Sequence, residues 1–280
     1  MKNKVVIVTG GSSGIGKACA EAFGQAGCRV VITGRNTERL QAAQHELEQQ
    51  NIEVLMVTAD VSQEADNQRM VEETLAHFGQ LDILINNAGI SMRALFNELE
   101  LEVIRQVMDI NFWGSVHATK YALPHILKTK GSIVGVSSIA GYRGLPGRTG
   151  YSASKFALQG FLEALRTELT YEGVHVLIAC PGYTASNIRK RALVRDGNSQ
   201  GETPRDESRM MTAEECAQHI FRAVKRRKKI LTLTAQGKLT VFLNKWFPGF
   251  MDRIVYNAIA KEKGTLLKKY QRDAETSGEN

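Results

Sequence analysis

Cysteine is scarce in this chain: four in 280 residues, Cys19, Cys28, Cys180 and Cys216, with no C-x-x-C spacing. That argues against a disulfide framework, and the apolar surroundings of Cys19 and Cys180 read as buried free thiols in a reducing compartment. The six histidines are scattered without ligand spacing, so no metal site is expected. Long apolar runs are missing too. No segment reaches the twenty or so apolar residues of a membrane-spanning helix. The opening run Lys4-Val5-Val6-Ile7-Val8 is too short for a signal-peptide core, and the expected location is cytoplasmic.

What is present is ordinary for a soluble globular protein, 43% hydrophobic and 23% charged, and long enough to bury a large core. The net charge is +7, with a cluster at Lys225-Arg226-Arg227-Lys228-Lys229. One reading is a patch for nucleic acid or anionic membrane. The favoured one is the basic end of a helix over Ala213 to Lys225, where cations complement the macrodipole. No recognition motif accompanies the cluster, so nucleic acid is not expected as a partner.

Along the chain, short β-branched runs alternate with helical patterns. Val5 to Val8 predicts a strand, followed by Thr9-Gly10-Gly11-Ser12-Ser13-Gly14-Ile15-Gly16 and a helix from Lys17 to Ala26. Glycines let a backbone approach a pyrophosphate closely, and a helix N-terminus offers free N–H groups and a positive dipole end. Arg29 to Thr33, Ile52 to Val57, Leu81 to Ile85, Ile133 to Ser137, Val174 to Cys180 and Ile230 to Thr234 supply six further strands. Helices are expected from a Thr37 cap to Gln50, from a Ser62 cap towards His77, and from Leu99 to Lys128 with an interruption at Pro124. Such alternation argues for βαβ units and a parallel sheet.

The tip of the second strand carries Gly34-Arg35 where an NAD-binding fold usually places a carboxylate. A guanidinium there suits a 2′-phosphate, which favours NADP(H) over NAD(H). A plain surface arginine is the alternative, and the glycine loop itself supplies no basic residue.

Tyr151-Ser152-Ala153-Ser154-Lys155 opens a helical run to Leu169. The four-residue step puts the phenol and the ammonium on one face. A free phenol titrates near pH 10, and a neighbouring ammonium lowers that value and makes tyrosine usable for proton transfer. By itself the pair is weak, since helices carry many solvated pairs of this spacing.

The ordered set of Thr9-Gly10-x-x-x-Gly14-Ile15-Gly16, Asn86-Asn87-Ala88-Gly89, Ser138, Tyr151-x-x-x-Lys155 and Pro181-Gly182 resembles the short-chain dehydrogenase/reductase family. The resemblance spans about the first 235 residues. It implies an α/β, Rossmann-like domain over residues 1–235, with a doubly wound parallel sheet of seven strands in the order 3-2-1-4-5-6-7 and helices on both faces. It further implies catalytic roles for Asn111, Ser138, Tyr151 and Lys155. Cofactor contacts would fall at Gly10, Ser12, Ser13, Gly14, Ile15, Gly16, Arg35, Asp60, Val61, Asn87, Ala88, Gly89, Tyr151, Lys155, Pro181, Gly182 and Thr184. Residues 184–211 would form a lid over cofactor and substrate. In similar proteins the helix after Tyr151 pairs with another subunit, which implies a homodimer or homotetramer. Its apolar residues on two sides (Phe156, Phe161, Leu158, Leu162) fit that, cover from within the chain being the alternative.

Beyond Gln236 the resemblance ends. Two amphipathic runs, Leu239 to Phe247 and Phe250 to Ile259, are separated by Pro248-Gly249 and lead to a basic tail at Lys268-Lys269. This extension, 236–280, could be a flap over an apolar pocket, an oligomer contact, or a helix lying on a membrane through residues 238–270.

The implied reaction is hydride transfer between a nicotinamide and a carbonyl or secondary alcohol. The C-terminal aromatics, with Met92, Arg93, Leu95 and the stretch from Tyr142 to Arg148, lean towards a bulky apolar substrate. Two rivals are a dinucleotide-binding regulator without turnover and a basic adaptor for membranes or nucleic acid.

Overall fold

A computed structural model describes residues 1–185, 187–203, 210–262 and 264–267. Part of the expected 184–211 lid and the tail at Lys268-Lys269 lie outside the described residues. Seven strands form one parallel sheet in the order β3-β2-β1-β4-β5-β6-β7. They are β1 (Val5–Thr9), β2 (Arg29–Gly34), β3 (Val54–Thr58), β4 (Ile83–Asn86), β5 (Ser132–Val136), β6 (His175–Cys180) and β7 (Ile230–Thr232). In register, Ile7 of β1 pairs with Val31 on one side and Leu84 on the other.

Side chains alternate across β1 as a strand requires. Val6 and Val8 enter a core shared with α1 (Gly14–Gln25), α2 (Thr37–Glu48) and α7 (Ala213–Lys225), through Phe23, Leu40 and Ile220. Val5 and Ile7 enter the opposite core, built with α3 (Glu64–Phe78), α5 (Gly114–Thr129) and α6 (Thr149–Glu168), through Met70, Ala122 and Leu162. The sheet is thus covered on both faces, which is why its central strands are continuous apolar runs.

Several boundaries differ from those expected. Asn36, and not Thr37, caps α2, its side-chain Oδ1 accepting from Arg39 N at 2.8 Å. Ser62 does not cap α3, because its hydroxyl donates to Asp60 Oδ1 at 2.8 Å and Gln63 takes the cap position. The long helix from Leu99 is broken at a π-helical turn, Asp109–Trp113, between α4 (Leu101–Met108) and α5. Pro124 lies inside α5 without ending it, since the buried Ala118, Ala122 and Ile126 hold that helix on the sheet. By contrast α7 matches its expected span. Thr212 and Glu215 close a reciprocal capping box, and Arg222 and Lys225 stand in the last turn.

The C-terminal extension folds into α8 (Ala235–Trp246) and α9 (Pro248–Ala260). Met251, Val255 and Ile259 of α9 are buried with Leu95 and Leu267, and Leu145 packs beside them. The outward face keeps Leu239, Phe242, Trp246, Phe247 and Phe250 more than half exposed. On α6, Leu158 and Leu162 are buried, and Phe161 meets Phe112 edge-on with centroids 6.3 Å apart. Phe156 remains 47% exposed.

Candidate active site

The carboxyl edge of the sheet, where β1, β4 and β5 end, gathers the sequence-predicted residues. Gly10 takes a φ of +66°, in the left-handed region that favours glycine. A Cβ on Gly16 would stand 2.5 Å from Asn87 Nδ2 and closer still to the Gly10 carbonyl. Close approach of α1 to the loop therefore requires glycine there. Thr9 ties the loop to β4: its hydroxyl oxygen accepts from Asn87 N and Ala88 N, both at 3.0 Å. Asn87 in turn donates to Thr9 O at 2.9 Å.

Above this cradle lies a cavity of about 370 Å³. Gly10, Ser12, Ser13, Gly14, Ile15, Arg35, Asp60, Val61, Asn87, Ala88 and Gly89 all line it. Gly16, Tyr151, Lys155, Pro181, Gly182 and Thr184, also expected as cofactor contacts, are not among its lining residues. Thr184 is buried, and its hydroxyl donates to Gly182 O at 3.4 Å. Two further arginines line the cavity that sequence reasoning passed over, Arg39 from the first turn of α2 and Arg191 from the segment after β6. Arg39 was legible in principle, one helical turn beyond Arg35. Arg191 was not, because only the fold returns it to the glycine loop. Among the described lining residues Asp60 is the one acid, and it already faces Arg35 at 3.7 Å.

The dinucleotide fit rests on this geometry. A glycine-rich loop at a helix N-terminus suits a pyrophosphate, and an excess of guanidinium groups at the far end suits further anionic charge. Two of the catalytic candidates meet at Gly89, where an added Cβ would sit 3.1 Å from Asn111 Oδ1 and 3.5 Å from Lys155 Nζ.

Lys155 is buried and donates to Val136 O at 3.0 Å. Burial pushes its pKa down to about 8. Its ammonium stands 5.8 Å from the Tyr151 ring centroid. For the Tyr151 phenol burial raises the pKa above its usual value, opposed first by a hydrogen bond with the Ser138 side chain and then by the charges of Arg148 and Arg189. The expected lowering by Lys155 is not found: burial outweighs the opposing groups, and the arginines, which sequence reading did not single out, supply the charges that oppose it. Ser138 Oγ also accepts from Ala140 N at 3.1 Å, which fixes the hydroxyl at the start of a short 3-10 turn.

The neighbouring Ser137 points elsewhere. It is buried and held by Gln159 Nε2 at 2.9 Å. Asn111 sits in the π-helical turn, fully buried, its side chain bonded to both Ile90 N (2.8 Å) and Ile90 O (2.9 Å) and donating to Ser154 Oγ (2.9 Å). A mid-helix asparagine thereby latches the loop after Asn86-Asn87-Ala88-Gly89 to α6. Local π geometry frequently accompanies functional sites.

Sheet order, glycine cradle and a tyrosine beside a buried lysine define a dinucleotide-binding α/β fold of the oxidoreductase kind. The family model described as short chain dehydrogenase matches residues 4–195. The mouse protein "Dehydrogenase/reductase SDR family member 7B" is 37% identical over 269 residues, covering 94% of this chain and 83% of the mouse one. The peanut (Arachis hypogaea) "11-beta-hydroxysteroid dehydrogenase A" is 35% identical over 267 residues, covering 90% and 75%. Among solved structures, a Burkholderia phymatum short-chain dehydrogenase/reductase in complex with NAD superposes with a TM-score of 0.80 at 24% identity, over 89% of this chain and 95% of that one. An alcohol dehydrogenase from the archaeon Thermococcus sibiricus, complexed with 5-hydroxy-NADP, gives 0.74 at 25% identity, over 83% and 96%. The chain belongs to the short-chain dehydrogenase/reductase family of oxidoreductases.

Proposed function

We propose that the protein is an NADP(H)-dependent oxidoreductase acting on a carbonyl or secondary alcohol borne by a bulky apolar molecule. The observation that carries the reading is the Tyr151 phenol beside the buried Lys155 amine, which stands 5.8 Å from its ring centroid, with the Ser138 side chain acting to pull the phenol's pKa down. When bound, the nicotinamide supplies or accepts the hydride. In reduction Ser138 donates to the substrate oxygen and steadies its developing charge, while Tyr151 delivers the proton that converts that oxygen to a hydroxyl. In oxidation Tyr151 takes the proton back. Lys155 holds the nicotinamide ribose and favours the phenolate. Asn111 supports proton relay from the π-helical turn, where its main-chain carbonyl accepts from Ser115 Oγ at 3.1 Å.

The preference for NADP(H) rests on Arg35 and Arg39 beside a single carboxylate already engaged. The apolar substrate is suggested by α9, whose Met251 and Val255 pack with Leu95 and Leu145 and so seat the aromatic extension beside the loop that leads into Tyr151. Under this reading the extension is part of the substrate side of the domain. A Tyr151→Phe variant should lose carbonyl-dependent NADPH oxidation by about a thousandfold while keeping its NADPH-induced thermal shift. Undiminished turnover would retire the mechanism. A wild-type protein that binds NADPH without oxidising it across a panel of carbonyls would instead be the regulator without turnover.

A second reading concerns the outward surface. Residues from Lys245 through Phe250 are all exposed at the α8–α9 corner, a Trp-Phe-Pro-Gly-Phe sequence beside a lysine. Of the nearby acids Glu262 is buried against Arg148 and Asp252, though exposed, is paired with Arg143, so Lys238, Lys245, Arg253 and Lys261 dominate the outer charge. Two copies meeting here would oppose like charges, whereas an anionic bilayer complements them. Co-sedimentation with phosphatidylserine vesicles, weakened by salt, is the expected result. Self-association abolished by changes at this corner would instead favour an oligomer contact. No described helix is long and apolar enough to cross a membrane. Pairing with a second copy is assigned to α6, where Phe156 is exposed, and Phe156→Glu should shift the sedimenting mass towards one chain.

A further inference from the structure

Arg191 is separated from Arg35 in sequence by four of the seven strands, β3 to β6, yet both line the same cavity with Arg39. Three guanidinium groups share that cavity with one carboxylate, Asp60, among its described lining residues. Burial and the charge of Arg39 both lower the pKa of Arg191, so the group is held where its own charge is disfavoured. Such an arrangement is relieved by an anion.

The position of Arg191 is built. Its N–H donates to Asn187 O at 3.0 Å, and the next two residues, Ala192 and Leu193, are buried. Leu193 is fastened by main-chain bonds on both sides, Leu193 N to Ser91 O at 2.9 Å and Arg93 N to Leu193 O at 2.7 Å. It packs with Met92, Val103 and Val107 in a small core against which Tyr151 also leans. A single residue, Ala192, thus separates a cation at the cofactor end from an apolar residue at the reacting end.

We infer that Arg191 binds the 2′-phosphate of NADP(H) together with Arg35 and Arg39, and that this contact fastens Leu193 onto the wall beside Tyr151. The inference rests on the NADP(H) reading above. A phosphate remote from the reacting carbon would then stabilise the closed 187–199 segment, so that binding energy far from the chemistry helps assemble the substrate side. NAD(H), lacking that phosphate, would leave the segment less well held even when bound.

The test uses the full chain and calorimetric titration with NADPH, NADH, adenosine 2′,5′-bisphosphate and AMP, with amide exchange over residues 187–199 followed in parallel. Arg191→Ala should weaken NADPH and the bisphosphate by about tenfold, as loss of a charge-assisted contact does, and change NADH and AMP less than about twofold. In the unsubstituted protein NADPH should protect the 187–199 amides more than NADH does, and that difference should vanish in Arg191→Ala. If Arg191→Ala binds and protects like the parent while Arg35→Ala loses NADPH affinity, the inference falls and the NADP(H) reading stands. Equal affinity of the parent protein for NADPH and NADH would overturn both.

Discussion

The cofactor edge and the C-terminal extension are both built from short elements packed on one domain, yet different constraints fix their residues. At the edge the backbone must come close to another backbone, so Gly10 and Gly16 are specified by sterics and their surroundings are rigid. In the extension the requirement is an apolar inner stripe with a few ionic fastenings, Arg143–Asp252 and Arg148–Glu262. Many sequences meet the second requirement and few meet the first. A steric constraint therefore announces function, whereas a pattern announces only burial.

The largest expected effect falls on the constrained side. Gly16→Ala places a methyl group against Gly10 O and Asn87, neither of which is a flexible side-chain end free to swing away. It should abolish the thermal shift given by NADPH and cost about 3 kcal/mol in chemical denaturation. A variant that kept its cofactor response would show the cradle to be softer than its geometry implies.

On the extension the comparable lesion is Glu262→Ala, which leaves Arg148 without its 3.1 Å partner in a site where both side chains are nearly buried. Stranding a buried charge costs about 3–5 kcal/mol when a whole protein must absorb it. Here the terminal segment can detach and rehydrate the arginine, so about 2 kcal/mol and faster amide exchange over residues 255–262 are expected. Global unfolding with no prior local opening would make the extension as integral as the cradle.

The same asymmetry governs what could be foreseen. Sheet order and the clustering of the glycine loop with Arg35, Asp60 and Asn87-Ala88-Gly89 could be anticipated, because strand–helix alternation and glycine spacing are local and repeat in order. The π-helical turn at Asn111 could not, since its cause is tertiary: the side chain is drawn out to pair with Ile90, and a propensity argument sees only an asparagine in mid-helix. Arg191 and the Arg148–Glu262 pair were hidden for the same reason, being contacts across more than a hundred residues. Caps failed by one residue at Asn36 and Gln63 because adjacent polar residues offer equally plausible signals.

Lys155 shows the constrained side giving up stability for its chemistry. Its folded pKa, about 8, lies below the ordinary 10.5, so between those values the unfolded chain holds more protons than the folded one. The cost of burying the ammonium is fully present below pH 8 and is relieved as pH rises towards 10.5. Lys155→Met removes both that cost and the bond to Val136 O. Its stability relative to the parent should therefore fall by about 2 kcal/mol from pH 8 to pH 10, with turnover lost throughout. A pH-independent difference in denaturation midpoint would show that the amine stays charged in the fold.

The smallest stability effect belongs to the outer face of the extension and separates surface from scaffold most cleanly. Trp246, Phe247 and Phe250 are each more than half exposed, while Met251 and Val255 beside them are buried. Replacing the three aromatics together by serine removes little packing, so unfolding should shift by no more than about 0.5 kcal/mol per site. Turnover of a water-soluble carbonyl should be unchanged, because none of the three lines the cofactor cavity. Vesicle binding should nevertheless disappear, since the lysines left behind offer charge without the wedge that anchors it. A marked loss of stability would mean the aromatics are packed in solution against something other than water. A loss of turnover with stability intact would move the corner from the membrane to the mouth of the substrate site, and the flap would then extend across both faces of α9.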